Sequence, residues 1–412
     1  MVRRVASRIL GQTSLGGSRP ARSTGCRRAV SFLLALLCLV AVLGAPRQAA
    51  AARAELVTIG TGSEIFARYG HSAVCIGEAA RGEGAPEARC YDFGIQDDAP
   101  GGALRLVWDT YRGRPRFLPI AVTRSILIAA FTAQGRTIWT QDLPMSEAQV
   151  ASLAASLEAS VAAHASYAYH PYYYNCTTPI RDAIDKASGG ALRPVAAAPE
   201  APTFRAATEG GFSGSALELT GLALFLGNPA DRPMTAWEAL FLPANLRDAV
   251  QARMGAAPTV VYERREMFVP KTSTNAGRIV LALLGALMAG AALWTVRRSP
   301  GRVGYVLVAL GRVLGLVGLA VDGVALGAAY PEVTRNWVLL VLLPTDLVLA
   351  VAPRKALRYV QARLGALGLL AVLSAVGLVT QPLVLVCAFV AMPLAAAWPA
   401  VRRLSPAPPQ PA

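Results

Sequence analysis

The sequence has few of the residues that bind metal ions. Only 3 of its 412 residues are histidine and 6 are cysteine, and none of them combine with aspartate in the spacing of a metal site. We therefore expect no metal ion and no other cofactor. Zinc-finger spacing, a Walker loop and a groove pattern of aromatic and basic residues are also missing. The motifs that would indicate nucleic-acid binding are thus absent.

Acidic residues are scarce outside the middle of the chain, and this explains the formal net charge of +15. Residues 55–275 contain 19 Lys and Arg against 22 Asp and Glu, whereas the rest of the chain has 21 basic and 3 acidic residues. The basic residues flank or occupy apolar stretches, where positive charge keeps loops in the cytoplasm. We interpret the charge as a signal of membrane topology and expect no nucleic-acid partner.

Residues 1–54 have the order of a secretory leader. A basic segment without acidic residues is followed by an apolar run over Ala29–Gly44 and by small residues that end in Ala52-Arg53-Ala54. This order predicts a signal peptide, or an N-terminal membrane anchor if the segment is retained. Either form predicts that the next segment is exported.

Residues 276–400 predict a transmembrane bundle of about five spans, because several apolar stretches approach the length that crosses a bilayer. The stretches are Ala276–Val296, Val303–Ala328, Trp337–Ala352, Leu364–Thr380 and Pro382–Ala400. The loops on one side and the final tail carry 9 Lys and Arg, and the other two loops carry only Arg335. This asymmetry predicts that residues 55–275 lie outside the cytoplasm and that the tail, residues 401–412, lies inside it.

Residues 55–275 read as a soluble α+β domain. The runs HSAVCIG and ARCYDFG are typical of strands, and ILIAAFTA and RTIWTQDL are interpreted as further strands. Ser146 and Gln149 have the spacing of a capping box, which predicts a helix with Val150, Leu153 and Leu157 on one face. The segment Arg193–Phe212 is rich in Ala, Pro and Gly and is predicted to be a loop.

Cys176 is the first candidate for chemistry, in the motif YYYNCTTPIRDAID. Pro179 favours the first turn of a helix, so Cys176 is expected at or just before a helix N-terminus. The unpaired N–H groups there favour the thiolate and can hold an oxyanion. The alternative is a small buried structural residue, but the polar surroundings argue against it.

His71 is the candidate base, at the start of a predicted strand. His71 and Cys75 share one face of this strand, and Cys90 and Asp92 share one face of the next. If Cys75 and Cys90 lie opposite each other, Asp92 is the diagonal neighbour of His71 and can orient its imidazole. That register also permits a Cys75–Cys90 disulfide in an oxidising compartment. Purely structural roles for His71 and Asp92 stay open.

Several polar residues near Cys176 are candidate contacts for a substrate or an oxyanion. The set comprises Asn175, Thr177, Tyr174 and Arg181. His170 can be a second base or a substrate contact, although a role in the loop is the simpler interpretation. The tyrosines before Cys176 suit a site at the membrane–water interface or plain loop packing.

These motifs resemble the bacterial Lnb-type lipoprotein N-acyltransferase family. The resemblance runs from about Glu55 to Ala352 and rests on six segments in order. They are YGHSAV, YDFG, GRTIWTQDLPMSEAQ, YYYNCTTPIRDAI, DRPMTAWEALFLPANL and NWVLLVLLPTDLVLA. The domain is also similar to circularly permuted papain-like (NlpC-like) folds, and lecithin–retinol acyltransferase shares the order of a strand histidine before an NC helix start.

The resemblance implies an extracytoplasmic catalytic domain anchored in the bacterial inner membrane. It implies that His71 takes the proton of Cys176, whose thiolate attacks an acyl ester of a lipoprotein's diacylglyceryl group. The lipoprotein's N-terminal amine would then attack the thioester. Membrane lipids and the lipoprotein are the expected partners.

Two other functions compete with acyl transfer. The same dyad would serve a thiol hydrolase, such as a cell-wall amidase, a peptidase or a lipase, with water as the acceptor. A deep polar groove beside Cys176 would favour hydrolysis, and an apolar slot that opens toward the bilayer would favour transfer. A non-catalytic membrane assembly protein would instead have a buried Cys176 far from His71.

Overall fold

A computed structural model of the chain describes residues 52–78, 87–96, 103–194, 201–264, 275–352 and 356–404. The predicted leader lies outside the described residues except for residues 52–54. These three residues form the start of the first strand, and Ala54 is fully buried. The folded domain therefore begins slightly earlier than the predicted boundary at residue 55.

The domain is built on a seven-stranded sheet whose neighbouring strands are all antiparallel. The strand order is β6-β4-β3-β2-β1-β5-β9. The strands are β1 (Ala52–Ile59), β2 (His71–Glu78), β3 (Arg89–Gln96), β4 (Arg116–Thr123), β5 (Ile138–Asp142), β6 (Tyr167–Ala168) and β9 (Thr259–Tyr262). A separate pair joins β7 (Ala201–Thr203) to β8 (Pro233–Met234).

Helices cover both faces of the sheet, because alternate residues of its strands point to opposite sides. The helices of the domain are α1 (Ala103–Tyr111), α2 (Arg124–Ala133), α3 (Glu147–Ala162), α4 (Thr178–Ala187), α5 (Phe204–Gly211), α6 (Ala216–Phe225) and α7 (Pro243–Met254). Leu56 and Val74 pack in a core with α3, α4 and α7. Val57 and Cys75 pack on the other face, against Leu127 of α2.

The register of β2 and β3 confirms the predicted arrangement. Cys75 is paired with Cys90 and Ala73 with Asp92, so Asp92 lies diagonally across from His71. The two cysteines are joined by a disulfide. His71 and Asp92 consequently lie on the same face of the sheet as α2.

Two local predictions are confirmed and two are wrong. The capping box of Ser146 and Gln149 opens α3, and RTIWTQDL contains β5. ILIAAFTA is not a strand but most of α2. Short apolar runs do not distinguish a strand from a buried helix, and here Leu127 and Phe131, four residues apart, pack together against the sheet. The segment predicted as a loop, Arg193–Phe212, contains β7 and α5, and α5 is capped by the Thr203 side chain.

Four helical segments of the described residues are long and apolar enough to cross a membrane. They are Ala276–Arg298, Pro300–Gly327, Pro331–Val351 and Ala356–Ala375. The bundle consists of α8 (Ala276–Arg298), α9 (Val303–Gly327), α10 (Pro331–Thr334), α11 (Val338–Val341), α12 (Val348–Val351), α13 (Ala356–Ala375) and α14 (Val384–Leu404).

The bundle departs from the predicted five spans in two places. The third predicted stretch, Trp337–Ala352, is broken into the short helices α11 and α12 with Pro344 between them, and the short helix α10 precedes it. The fifth stretch forms α14, but its apolar part, Val384–Pro399, is shorter than the four segments that qualify as candidate spans. The first four residues of the predicted tail, 401–404, extend α14 to Leu404, and residues 405–412 lie outside the described residues.

The domain and the bundle are in direct contact. The C-terminal part of helix α6, with Ala223, Leu224 and Phe225, packs into the same hydrophobic cluster as the bundle. The amide of Gly227 donates to the carbonyl of Glu332 at 2.6 Å. Arg278 of α8 forms a buried ion pair with Glu209 of α5. Residues of the domain and residues of the bundle therefore both line the junction between these two parts of the chain.

Candidate active site

Cys176 lies two residues before the first residue of α4. Thr177 is the N-cap residue, and Pro179 occupies the first turn, as predicted. The Asn175 side chain holds this turn, because its Oδ1 accepts from the amides of Thr177 at 2.9 Å and Thr178 at 3.1 Å. Its Nδ2 donates to the carbonyls of Pro171 and Phe241. Asn175 thus fixes the position of Cys176, and these two helix amides are already occupied.

The imidazole of His71 bridges Asp92 and Cys176. Its Nε2 lies 2.9 Å from Asp92 Oδ1, and the ring borders the same cavity as Cys176, close enough for the two groups to shift each other's pKa. Because Nε2 is bound to Asp92, Nδ1 is the nitrogen left for the sulfur. Asp92 Oδ1 also accepts from the Gly94 amide at 2.6 Å. A Cβ at position 94 would collide with His71 Cε1, so the ring fits here only beside a glycine.

The charges of this triad favour a thiolate–imidazolium pair. Burial favours the neutral imidazole, but Asp92 and Cys176 outweigh it and raise the pKa of His71 to about 10. Burial also raises the pKa of the Cys176 thiol, but the neighbouring His71 imidazolium more than offsets this, so that the pKa of the thiol is lowered. The same imidazolium overcomes burial at Asp92 and lowers the pKa of that carboxyl.

Arg136 contributes a further buried charge next to the triad. It is only 5% exposed, its Nε donates to the Gly60 carbonyl at 2.9 Å, and its guanidinium lies over the ring of Phe131. Its Nη2 has no hydrogen-bond partner among the described residues. Burial lowers the pKa of Arg136 to about 10, although the charges of Cys176 and Asp92 oppose this shift. Arg136 thereby offsets the net negative charge of a thiolate, an imidazolium and a carboxylate.

Cys176 borders two cavities. The first, which we call the sheet cavity, has a volume of about 460 Å³ and also borders His71, Asp92 and Arg136. Most of the side chains in its wall are apolar, and β4 and α2 contribute several of them, including Ile120, Val122, Leu127, Ala130 and Phe131.

The second cavity, which we call the junction cavity, has a volume of about 210 Å³ and lies between the domain and the bundle. Apolar and aromatic side chains of both halves form most of its wall, including Phe66, Val107, Tyr169, Leu222, Phe241, Tyr330 and Val333. His170 and Glu332 are the ionisable residues of this wall apart from the tyrosines and Cys176.

His170 and Glu332 form a second histidine–carboxylate pair. His170 Nε2 lies 3.9 Å from Glu332 Oε2. His170 Nδ1 accepts from the Tyr172 amide at 3.2 Å, so Nε2 carries the proton of the neutral ring. Burial lowers the pKa of His170 despite the nearby carboxylate, which keeps the ring neutral at pH 7.

The remaining predicted contacts are held by the protein itself. Thr177 is fully buried and its hydroxyl donates to Ser72 Oγ at 3.3 Å. Arg181 pairs with Asp182 at 2.8 Å and lies over the Trp237 ring. Tyr174 is 44% exposed and packs edge-on against Tyr167. Any role of these residues in binding substrate stays a prediction.

Sequence reasoning missed Arg136 and Glu332 as site residues. Arg136 lies in the segment GRTIWTQDL, at the start of the predicted strand. A charged residue next to the apolar residues of a strand was the signal that could have identified it. Glu332 is one of only 3 acidic residues outside residues 55–275. No cluster of three or more His, Cys, Asp or Glu residues with the arrangement of a metal site occurs within the described ranges.

Comparison with known proteins gives one match. Residues 45–210 match the model of the family described as the Lnb N-terminal periplasmic domain. Neither the curated proteins nor the solved structures include a match to the chain. The matched segment contains His71, Asp92 and Cys176, and the apolar helices follow it. Residues 45–210 are therefore similar to the Lnb N-terminal periplasmic domain, and four helical segments that are long and apolar enough to cross a membrane follow them.

Proposed function

We propose that this protein is a Cys/His acyltransferase of the bacterial inner membrane, with its catalytic domain in the periplasm and its C-terminus in the cytoplasm. The reaction would move an acyl chain from the diacylglyceryl group of a lipoprotein to the N-terminal amine of that lipoprotein. One observation carries the proposal: the Cys176 thiol, paired with His71, borders a mostly apolar cavity whose wall is shared with the membrane bundle.

The first half of the reaction uses the thiolate–imidazolium pair. The Cys176 thiolate attacks the ester carbonyl, and the C–S bond forms as the ester C–O bond breaks. The His71 imidazolium gives its proton to the departing alkoxide, which leaves as an alcohol. The products are a thioester on Cys176 and a neutral His71 that is still held by Asp92.

The walls beside the thiol favour transfer over hydrolysis of a polar substrate. A cell-wall peptide would require a groove lined by many polar groups, whereas the sheet and junction cavities are lined mainly by aliphatic and aromatic side chains. The contact of Cys176 with His71 also argues against a purely structural protein, for which a thiol remote from any base was expected.

The test is to incubate the full-length protein in membranes with a diacylated lipopeptide and to read the lipopeptide by mass spectrometry. Wild type should convert it to the N-acylated lyso form, and Cys176→Ala should leave it unchanged. Cys387→Ala is the matched control, because Cys387 is the other free cysteine of the described chain and is buried in the bundle. Loss of an acyl chain without a new amide would indicate a lipase. An unchanged lipopeptide with wild type would contradict the proposal.

A further inference from the structure

The acyl acceptor in the proposed reaction is an amine, which is an ammonium ion at neutral pH. An ammonium ion cannot attack a thioester until it loses a proton. The catalytic pair does not supply an unoccupied carboxylate for this purpose, because Asp92 is engaged by His71 and by the Gly94 amide. A site for the amine therefore needs another negative group beside Cys176.

Glu332 has the properties of such a group. It is 6% exposed, it borders the junction cavity together with Cys176, and it comes from the start of a membrane segment. Its Oε1 accepts from the Tyr173 hydroxyl at 3.3 Å. Its Oε2 is buried and has no hydrogen-bond partner in the part of the chain that the structure describes. Leaving a buried carboxylate oxygen unpaired costs free energy that a bound cation would recover.

The basic residues that contact Glu332 or its partner Tyr173 are His170 and Arg232, and neither forms a hydrogen bond with Glu332 Oε2. His170 is neutral at pH 7 because burial lowers its pKa, and its Nε2 is 3.9 Å from the free oxygen, beyond hydrogen-bond distance. Arg232 binds Glu238 at the outer side of Tyr173. The carboxylate therefore faces an apolar cavity with its charge only partly compensated.

We propose that Glu332 binds the ammonium group of the acceptor in the junction cavity and takes up one of its protons, with the neutral ring of His170 beside the carboxylate as part of the wall of this site. This inference rests on the proposed function and assigns the second half of that reaction. It gives the membrane half of the molecule a direct part in the chemistry.

The proton balance closes with this assignment. The ammonium gives one proton to Glu332 and the resulting amine attacks the thioester carbonyl. The C–N bond forms and the C–S bond breaks, and the second proton of the nitrogen passes to neutral His71. Cys176 leaves as a thiolate, so the thiolate–imidazolium pair is restored. Glu332 returns its proton to water.

The experiment separates the two half-reactions in full-length protein with a diacylated lipopeptide. Glu332→Gln keeps the shape of the side chain and removes its charge. We expect the variant to form the Cys176 thioester at a rate within about twofold of wild type and to transfer the acyl chain to the amine at least about tenfold more slowly. The thioester on the Cys176 peptide should then accumulate, as measured by mass spectrometry.

Hydroxylamine serves as an uncharged acceptor that needs no binding site for a cation. It should release the acyl chain from the thioesters of Glu332→Gln and of wild type at similar rates. Formation of the Cys176 thioester is the check on folding, because a misfolded variant would not form it. Glu218→Gln is the matched control, because Glu218 makes only a partly exposed ion pair with Arg68 at 3.8 Å. It should behave as wild type.

Two outcomes would overturn the inference. Transfer by Glu332→Gln at the wild-type rate, or an equal slowing of thioester formation and transfer, would show that Glu332 does not handle the acceptor. Both outcomes leave the proposed function standing if wild type forms the thioester. The absence of any thioester in wild type would instead overturn the proposed function, and this inference with it.

Discussion

The two histidine–carboxylate pairs beside Cys176 differ in geometry, in location and in charge. In the sheet, His71 lies 2.9 Å from Asp92, and its pKa is raised to about 10. At the junction with the membrane bundle, His170 lies 3.9 Å from Glu332, and burial lowers its pKa. Burial opposes a charged imidazole in both places. The difference is that a hydrogen-bonded carboxylate and a thiolate overcome this penalty at His71, whereas a carboxylate beyond hydrogen-bond distance does not at His170.

A carboxylate near a histidine does not by itself fix the role of that histidine. The His71 pair holds a proton that can be given to a leaving group. The His170 pair keeps a neutral ring and an unpaired carboxylate oxygen, which suits an incoming cation. The same two residue types can thus serve opposite halves of one acyl transfer.

The largest expected effect is the loss of the charged pair. His71→Gln removes the imidazolium that stabilises the thiolate and protonates the leaving group, so thioester formation should fall by about 10⁴-fold. Single-turnover kinetics with a diacylated lipopeptide measure this rate. Alkylation of Cys176 at pH 7 should slow as well, because the thiol returns toward its ordinary pKa. A variant that still reacts at the wild-type rate would show that His71 is not the base.

Asp92→Asn should have a smaller effect, of about 10²-fold on thioester formation. In wild type, His71 is protonated at neutral pH and loses its proton as the pH rises through about 10, so the rate should fall above that pH. Without the Asp92 charge the pKa of His71 is lower, and the fall should begin at a lower pH. A pH profile of thioester formation checks this direction. An unchanged alkaline limb would mean that Asp92 does not set the charge of His71.

His170→Gln should have an effect of about tenfold, confined to acyl transfer to the amine. The substitution removes the ring that lies against Glu332 but leaves Cys176, His71 and Asp92 in place. Separate measurement of thioester formation and amide formation tests whether the two pairs act in different steps. Equal slowing of both steps would remove the distinction between them.

The proximity of His71 and Asp92 was predictable from local sequence, because the alternation of side chains along a strand shows which residues share a face. Side chains alternate along β2 and β3, so the positions of Cys75 and Cys90 determine that His71 and Asp92 share a face. The start of α4 was predictable for a similar reason, since Pro179 restricts where the helix begins. The predicted papain-like relationship stays a prediction.

The proximity of His170 and Glu332 was not predictable, because these residues are 162 positions apart in the sequence and no local periodicity links them. Their approach depends on how α6 packs against the bundle. Helix α6 belongs to the domain in sequence, but its side chains pack in the hydrophobic cluster of the bundle. The short apolar runs were ambiguous as well. The local pattern of ILIAAFTA allows either a strand or a helix. It forms a helix, in which Leu127 and Phe131 lie on one face and pack against the sheet.

The smallest effect on chemistry is expected from the disulfide, which only the sheet pair has nearby. Cys75 and Cys90 close a loop with a sequence separation of 15, and removal of such a crosslink typically costs about 3 kcal/mol of folding free energy. The β2–β3 ladder that aligns His71 with Asp92 would remain. The double substitution Cys75→Ala and Cys90→Ala should therefore lower the Tm of the detergent-solubilised protein and change thioester formation at 25 °C by less than about twofold. A much larger loss of rate at a temperature where the variant is folded would mean that the crosslink, and not the ladder, holds the catalytic register. In that case the His71–Asp92 pair would depend on a covalent crosslink for its position. It would then differ from the His170–Glu332 pair in this respect as well as in its charge.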